Sequence, residues 1–208
     1  MIPKDSQVFI VDDDADIREA IATLVTQLGL TAIGFESAEA FLDGYQGERP
    51  ACVVTDVRML GMTGLELQQE LNARGLCLPV IVLTAHADTP TTVRAMKQGA
   101  FTLLDKPCRD SELWDAIRSA LEEDVSRMGD DQRQRELEVR LSLLTAGERE
   151  VLDLLLAGEA NKVIAQKLDL GLRTVEARRQ SLLKKFEVDS LAELIPLVLL
   201  ARQRAARI

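Results

Sequence analysis

The sequence predicts an α/β part built on an open, doubly wound five-stranded parallel sheet. A charged segment joins it to a small all-α part of four helices. Three observations carry this prediction. Short apolar runs alternate five times with amphipathic stretches over the first 120 residues, the pattern of βα units whose sheet is covered on both faces. Five units are too few for a closed barrel, which needs eight. From residue 145 onward the apolar spacing is helical throughout.

Taken in order, residues 8–11 (VFIV) form a buried strand. Ile17, Ile21, Leu24, Val25 and Leu28 follow at helical spacing, and Gly29 supplies the stop. Residues 31–35 form a second strand, and Ser37 caps a short helix through Phe41 and Leu42. Residues 52–55 form the third strand, with a helix around 65–71. The fourth is 79–83 (PVIVL), with a helix over about 90–98 that ends at Gly99. The fifth is 101–104, and a helix begins near Asp110.

Residues 122–141 are polar and charged, with GDD at 129–131 as a break. Ile117, Leu121, Val125 and Met128 keep helical spacing, so the last helix can run on here. A solvated linker is favoured over a short coiled-coil seam. Thr145 and Glu148 then make a T-x-x-E capping box ahead of Val151, Leu152, Leu154, Leu155 and Leu156, and Gly158 ends that helix. Residues 162–168, 173–186 and 191–202 supply three more helices. Pro196 is expected to start or kink the last one.

With 208 residues, 47% hydrophobic and 28% charged, the chain can bury packed cores, and wholesale disorder is not expected. No apolar run approaches the ~18 residues of a spanning helix. The N-terminal stretch lacks the basic-then-apolar pattern of a signal peptide. Cys52, Cys77 and Cys108 show no C-x-x-C spacing, so reduced thiols are favoured over a disulfide or metal site. The expectation is a cytoplasmic protein with no membrane partner. A net charge of −9 would argue against nucleic acid, but the charge is unevenly placed. Residues 1–121 carry 10 basic and 18 acidic side chains, residues 122–144 carry 4 and 7, and residues 145–208 carry 11 and 9. Within 173–185 five basic side chains face one acidic, Glu176.

In an open parallel sheet, ligands bind beyond the carboxyl ends of the strands. Those ends carry Asp12, Asp13 and Asp14, then Asp56, Thr84 and Lys106. Each alone is an ordinary surface feature; their joint placement is not. Close carboxylates need a counter-charge, and hard oxygen donors suit Mg²⁺. With a metal between Asp13 and Asp56, and Lys106 and Thr84 on other phosphoryl oxygens, Asp56 could act as a carboxylate nucleophile.

The segments VFIVDDD (8–14), VVTDVRMLGMTGLEL (53–67), VIVLTAHAD (80–88) and GAFTLLDKP (99–107) resemble the receiver domain of two-component response regulators, over residues 7–122. The resemblance implies the strand order 2-1-3-4-5 and phosphorylation of Asp56 by a sensor histidine kinase. It places Mg²⁺ among Asp12, Asp13 and Asp56, held by Asp13, Asp56 and the Arg58 carbonyl. Thr84 would be the switch hydroxyl, and Lys106 the phosphate-binding ammonium ahead of a cis Lys106–Pro107 bond. Arg58 and His86 occupy positions that tune how long the acyl phosphate survives. At the aromatic switch position stands Leu103, and Leu60 stands where the family often has proline.

Residues 161–180 read NKVIAQKLDLGLRTVEARRQ. Val163, Ile164, Ala165 and Leu168 can pack one helix while 169–172 make a turn. On a helical wheel Val175, Leu182 and Phe186 share one face. Arg173, Ala177, Gln180 and Lys184 share the opposite one, with Glu176 at its edge; Arg178 and Arg179 flank the core. Such a face fits either a solvated surface helix or a recognition helix in a major groove.

TAGEREVLDLLLAG, NKVIAQKL and RTVEARRQSLLKK resemble the LuxR-type helix-turn-helix output domain of FixJ/NarL-type regulators, over residues 141–206, with 123–140 as linker. The resemblance implies base-edge roles for Glu176, Ala177 and Gln180 and phosphate contacts from Thr174 and Lys184. Arg173 and Arg178 are counted with them as DNA-binding residues, Arg178 in place of a common histidine. Gly171 sits where a serine cap is frequent. The implied function is control of transcription: phosphorylation drives homodimerisation and binding to double-stranded promoter DNA, with RNA polymerase as a further partner. The only implied chemistry is Mg-dependent self-phosphorylation and self-dephosphorylation at Asp56.

Two other functions compete. An aspartate-nucleophile phosphatase would want a second carboxylate two residues after Asp56, where Arg58 stands. A phosphorylation-independent interaction module would have no use for Asp12, Asp13, Asp56, Thr84 and Lys106 together.

Overall fold

Residues 2–85 and 89–205 are described by the computed structural model. The order is β1 (Gln7–Val11), α1 (Ala15–Gln27), β2 (Thr31–Phe35), α2 (Ala38–Gly44), β3 (Ala51–Asp56), α3 (Gly64–Ala73), β4 (Val80–Thr84), α4 (Thr89–Lys97), β5 (Thr102–Asp105), α5 (Asp110–Ser142), α6 (Ala146–Leu156), α7 (Asn161–Lys167), α8 (Leu172–Phe186) and α9 (Leu191–Ala205). The chain divides into two compact units, Met1–Met128 and Gly129–Ile208.

In the first unit all strand pairs are parallel, in the order β2-β1-β3-β4-β5. Side chains alternate across the sheet with period two. Phe9, Val11, Val53, Val80 and Val82 face one core with Phe41 of α2, Leu67 and Leu71 of α3, and Ala95 of α4. Val8, Ile10, Cys52, Val54, Ile81 and Leu83 face the other with Ile21 and Val25 of α1 and Leu113, Ile117 and Leu121 of α5. Burial on both faces explains why β3 and β4 read as continuous apolar runs. Burial pushes the Cys52 thiol up, which makes it an inert core side chain.

The GDD break does not occur. α5 is one helix of 33 residues, although its interior Gly129 costs about 1 kcal/mol relative to alanine. Tertiary contacts on either side of Gly129 outweigh that local preference. In the first unit the buried carboxylate of Asp124 accepts hydrogen bonds from Arg49 Nη2 at 2.6 Å and from the Ala51 amide at 2.9 Å. In the second unit Gln134 Nε2 donates to the Ala201 carbonyl at 3.1 Å, Leu137 enters the core, and Arg140 bonds the Phe186 carbonyl and Glu187.

The second unit packs α6, α7, α8 and α9 with this last part of α5 around Val151, Leu152, Ile164, Val175, Leu182 and Phe186. Thr145 and Glu148 form the capping box of α6. Glu148 also accepts from Ser181 Oγ at 2.6 Å and from Lys185 Nζ at 2.7 Å, which ties the start of α6 to α8. These bonds outweigh the burial of the carboxylate and lower its pKa to about 2. α9 starts at Leu191 rather than at Pro196, which lies inside it. No helix among the described residues is long and apolar enough to cross a membrane.

Candidate functional site

The carboxyl ends of β1, β3, β4 and β5 bring Asp12, Asp56, Thr84 and Lys106 to one edge of the sheet, because parallel pairing in register aligns those ends. The three neighbouring acids after β1 divide into three roles. Asp12 is buried: its Oδ2 accepts from Lys106 Nζ at 2.8 Å and its Oδ1 from the Asp14 amide at 2.9 Å. Arg18 of α1 donates to the Asp12 carbonyl. Asp13 is exposed, and its Oδ2 accepts from the Leu60 amide at 3.1 Å. Asp14 is the N-cap of α1, accepting from the Asp16 and Ile17 amides.

Lys106 Nζ also lies 3.3 Å from Asp56 Oδ1, so one ammonium bridges two carboxylates. Burial raises the Asp56 carboxyl above its ordinary range; the Lys106 charge opposes that rise, and Asp12 adds to it. For Lys106, burial works downward, but Asp12 and Asp56 together outweigh it and leave the ammonium raised. The Arg58 amide lowers Asp56 by hydrogen bonding, while the Arg58 side chain is exposed.

Thr84 is buried at the end of β4, and its carbonyl accepts from the Lys106 amide at 2.7 Å. The Lys106–Pro107 bond is cis. Leu103 packs half-buried against the core that holds Val80 and Val82. His86 lies outside the described residues. A recess of about 650 Å³ along α1 and the start of α5 is lined by Ile17, Ile21, Leu24, Pro107 and Leu113. Lys106 lines it as well, so this mainly apolar recess adjoins the charged edge.

No group of three His, Cys, Asp or Glu side chains converges in metal-binding geometry among the described residues. The donor set nonetheless fits a hard divalent cation with few protein ligands. Asp12, Asp13 and Asp56 against the one ammonium of Lys106 leave two negative charges to be matched, and oxygen donors of this kind suit Mg²⁺.

Sequence reasoning assigned no role to Gly64, Glu39 or Arg18. Gly64 opens α3 directly against the end of β3: a Cβ there would stand 2.9 Å from Thr55 Cγ2 and closer still to the Asp56 carbonyl oxygen. Glu39 of α2 accepts from the Met62 amide at 2.9 Å. The capping box Thr63–Glu66, formed in the structure, was the available signal for Gly64.

In the second unit Arg173, Thr174, Glu176, Ala177, Gln180 and Lys184 are all exposed on α8, opposite the buried Val175, Leu182 and Phe186. Arg178 differs. It is half-buried, and its Nη1 donates to the Gly147 carbonyl of α6 at 3.2 Å. Arg179 likewise bonds Asn161 Oδ1 of α7 at 2.8 Å. The first turn of α8 follows Gly171 and has no side-chain cap.

Residues 8–118 match the response regulator receiver domain, and residues 142–198 match the bacterial regulatory proteins of the luxR family. The chain is 42% identical over 200 residues to the transcriptional regulatory protein FixJ of Azorhizobium caulinodans, covering 96% of this chain and 95% of that protein. It is 39% identical over 196 residues to the transcriptional regulatory protein TdiR of Thauera aromatica, covering 93% and 86%. The structure of the response regulator StyR superposes with a TM-score of 0.82 at 40% identity, over 93% of this chain and 98% of that one. Full-length FixJ from B. japonicum gives 0.58 at 35% identity, over 95% and 97%.

Proposed function

The chain belongs to the FixJ/NarL-type response regulators, a receiver domain with a luxR-family DNA-binding domain that regulates transcription, and we propose that phosphorylation of Asp56 is its control. The observation that carries this reading is the Lys106 ammonium held between Asp12 and Asp56 at the end of the sheet. An Asp56 carboxylate oxygen attacks the phosphorus of a phosphohistidine on a sensor histidine kinase; the O–P bond of an acyl phosphate forms as the P–N bond breaks and the kinase's imidazole leaves. Lys106 is then already in place to answer the added charge, and Thr84 sits at the adjoining strand end to turn its hydroxyl toward a phosphoryl oxygen. Asp13, Asp56 and the Arg58 carbonyl would hold Mg²⁺, which supplies neutralisation of phosphoryl charge when bound. Arg58, with His86, sets how readily water reaches the acyl phosphate.

Phosphorylation shifts a pre-existing equilibrium around β5, where Leu103 replaces a larger aromatic, toward homodimerisation. The dimer reads paired half-sites about 10 bp apart in promoter DNA. Glu176, Ala177 and Gln180 face base edges, Arg173, Thr174 and Lys184 face phosphates, and the uncapped first turn of α8 presents amides to a phosphate. Arg178 serves α8 from behind, through Gly147. The protein acts in the cytoplasm with RNA polymerase as its further partner.

Incubation with acetyl phosphate and Mg²⁺, followed by intact mass, size and promoter affinity, tests this. The parent gains one phosphoryl group, enlarges and binds more tightly; Asp56→Asn does none of these. An Asp56→Asn protein that dimerises and binds DNA like the treated parent would overturn the reading.

A further inference from the structure

The loop 57–63 joins β3 to α3, and carboxylates from three separate places hold three of its amides. Leu60 N–H donates to Asp13 Oδ2 at 3.1 Å, Met62 N–H to Glu39 Oε1 at 2.9 Å, and Thr63 N–H to Glu66 Oε2 at 2.9 Å. Glu66 is committed to the capping box of α3 and Glu39 to the start of α2. Asp13 alone of the three adjoins the Asp12–Lys106–Asp56 charge cluster. Its partner is a neutral backbone dipole, which an ion can replace. The Leu60 side chain is 81% exposed, so it packs against almost nothing. What position 60 contributes is its N–H, which every residue but proline supplies.

On the reading that a divalent cation serves the Asp56 site, we infer that the Leu60 amide is the resting partner of Asp13 and competes with that cation for its carboxylate. In the resting protein the loop is pinned at residues 60, 62 and 63. When Asp13 turns to a cation, the pin at Leu60 opens while those at Met62 and Thr63 persist. Metal capture is thereby linked to local release of the loop directly after the phosphoacceptor, and Leu60 is a positioning residue for Asp13.

Two measurements on the full chain without any phosphodonor test this. In calorimetric titrations with Mg²⁺, Leu60→Pro binds roughly threefold to tenfold more tightly than the parent, the equivalent of one hydrogen bond no longer broken. Leu60→Ala, which keeps the N–H, binds like the parent. In amide exchange of the parent, Mg²⁺ speeds exchange at Leu60 and leaves Met62 and Thr63 protected; this second readout stands even if the proline variant does not fold. Equal affinities of parent and Leu60→Pro, or a Leu60 amide indifferent to Mg²⁺, overturn the inference alone, provided Asp56→Asn weakens binding. If the parent binds no Mg²⁺, or Asp56→Asn binds it equally well, the metal site itself falls and the inference with it.

Discussion

Replacing Gly64 by alanine adds one methyl group at the point where α3 begins against the end of β3. The new Cβ would meet Thr55 Cγ2 at 2.9 Å, Thr55 Oγ1 at 3.0 Å and the Asp56 carbonyl oxygen nearer still. These are strand atoms with no flexible end to swing aside. Reaching the ordinary separation of about 3.5 Å from that oxygen requires β3 and α3 to part by well over ~1 Å. Overpacking of this kind costs about 1–3 kcal/mol, and the backbone that moves carries Asp56. A misplacement of about 1 Å at a reacting group slows its chemistry on the order of 100-fold.

The expected result is a lower denaturant midpoint, read from the fluorescence of Trp114, the only tryptophan of the chain, which packs in the same unit. Phosphoryl uptake from acetyl phosphate, read by intact mass, slows about 100-fold. The matched control is Gly129→Ala, whose Cβ meets nothing within 4 Å on α5. It should stabilise by up to about 1 kcal/mol through helix propensity. If Gly64→Ala unfolds at the parent's midpoint and takes up phosphoryl at the parent's rate, the close approach of α3 to Asp56 does not matter and the reasoning fails.

Glu148→Gln should weaken the second unit at pH 7 by about 1.5–3 kcal/mol, because a charge-assisted link to Lys185 is lost. The parent's folded carboxyl lies near pH 2, below its ordinary 4.5, so its contribution is full above pH 4.5 and disappears as pH falls toward 2. Thermal melts across that window should converge for parent and variant; a constant gap would refute the assignment. On α8, Lys184→Ala should lower the slope of log affinity against log salt by about 1 on promoter DNA. Arg178→Ala should leave that slope unchanged and lower stability instead, since its guanidinium is engaged with Gly147. Equal slopes for parent and Lys184→Ala would remove Lys184 from the phosphate contacts.

Much of this molecule is written locally. Strands such as 31–35 and the caps at Ser37 and Thr145 were legible because alternation, helical spacing and capping depend on neighbours a few residues apart. The exposed and buried faces of α8 followed from the same spacing. The candidate site was legible as a set, since parallel strands must end on one side, and the family's motifs mark those ends.

What the sequence could not assign were partners. Asp12, Asp13 and Asp14 are chemically identical neighbours, yet one turns to an ammonium 94 residues away, one to the Leu60 amide and one to its own helix. The fate of 129–131 is similar, because local propensity favoured a break. Asp124 held by Arg49 in one unit and Gln134 held by Ala201 in the other keep that stretch helical. Composition and periodicity therefore determined most of the elements and where the strand ends that carry Asp12, Asp56, Thr84 and Lys106 gather. Tertiary structure decided which of those ends face one another, because a hydrogen bond depends on distance and direction between segments that only the packed cores bring together.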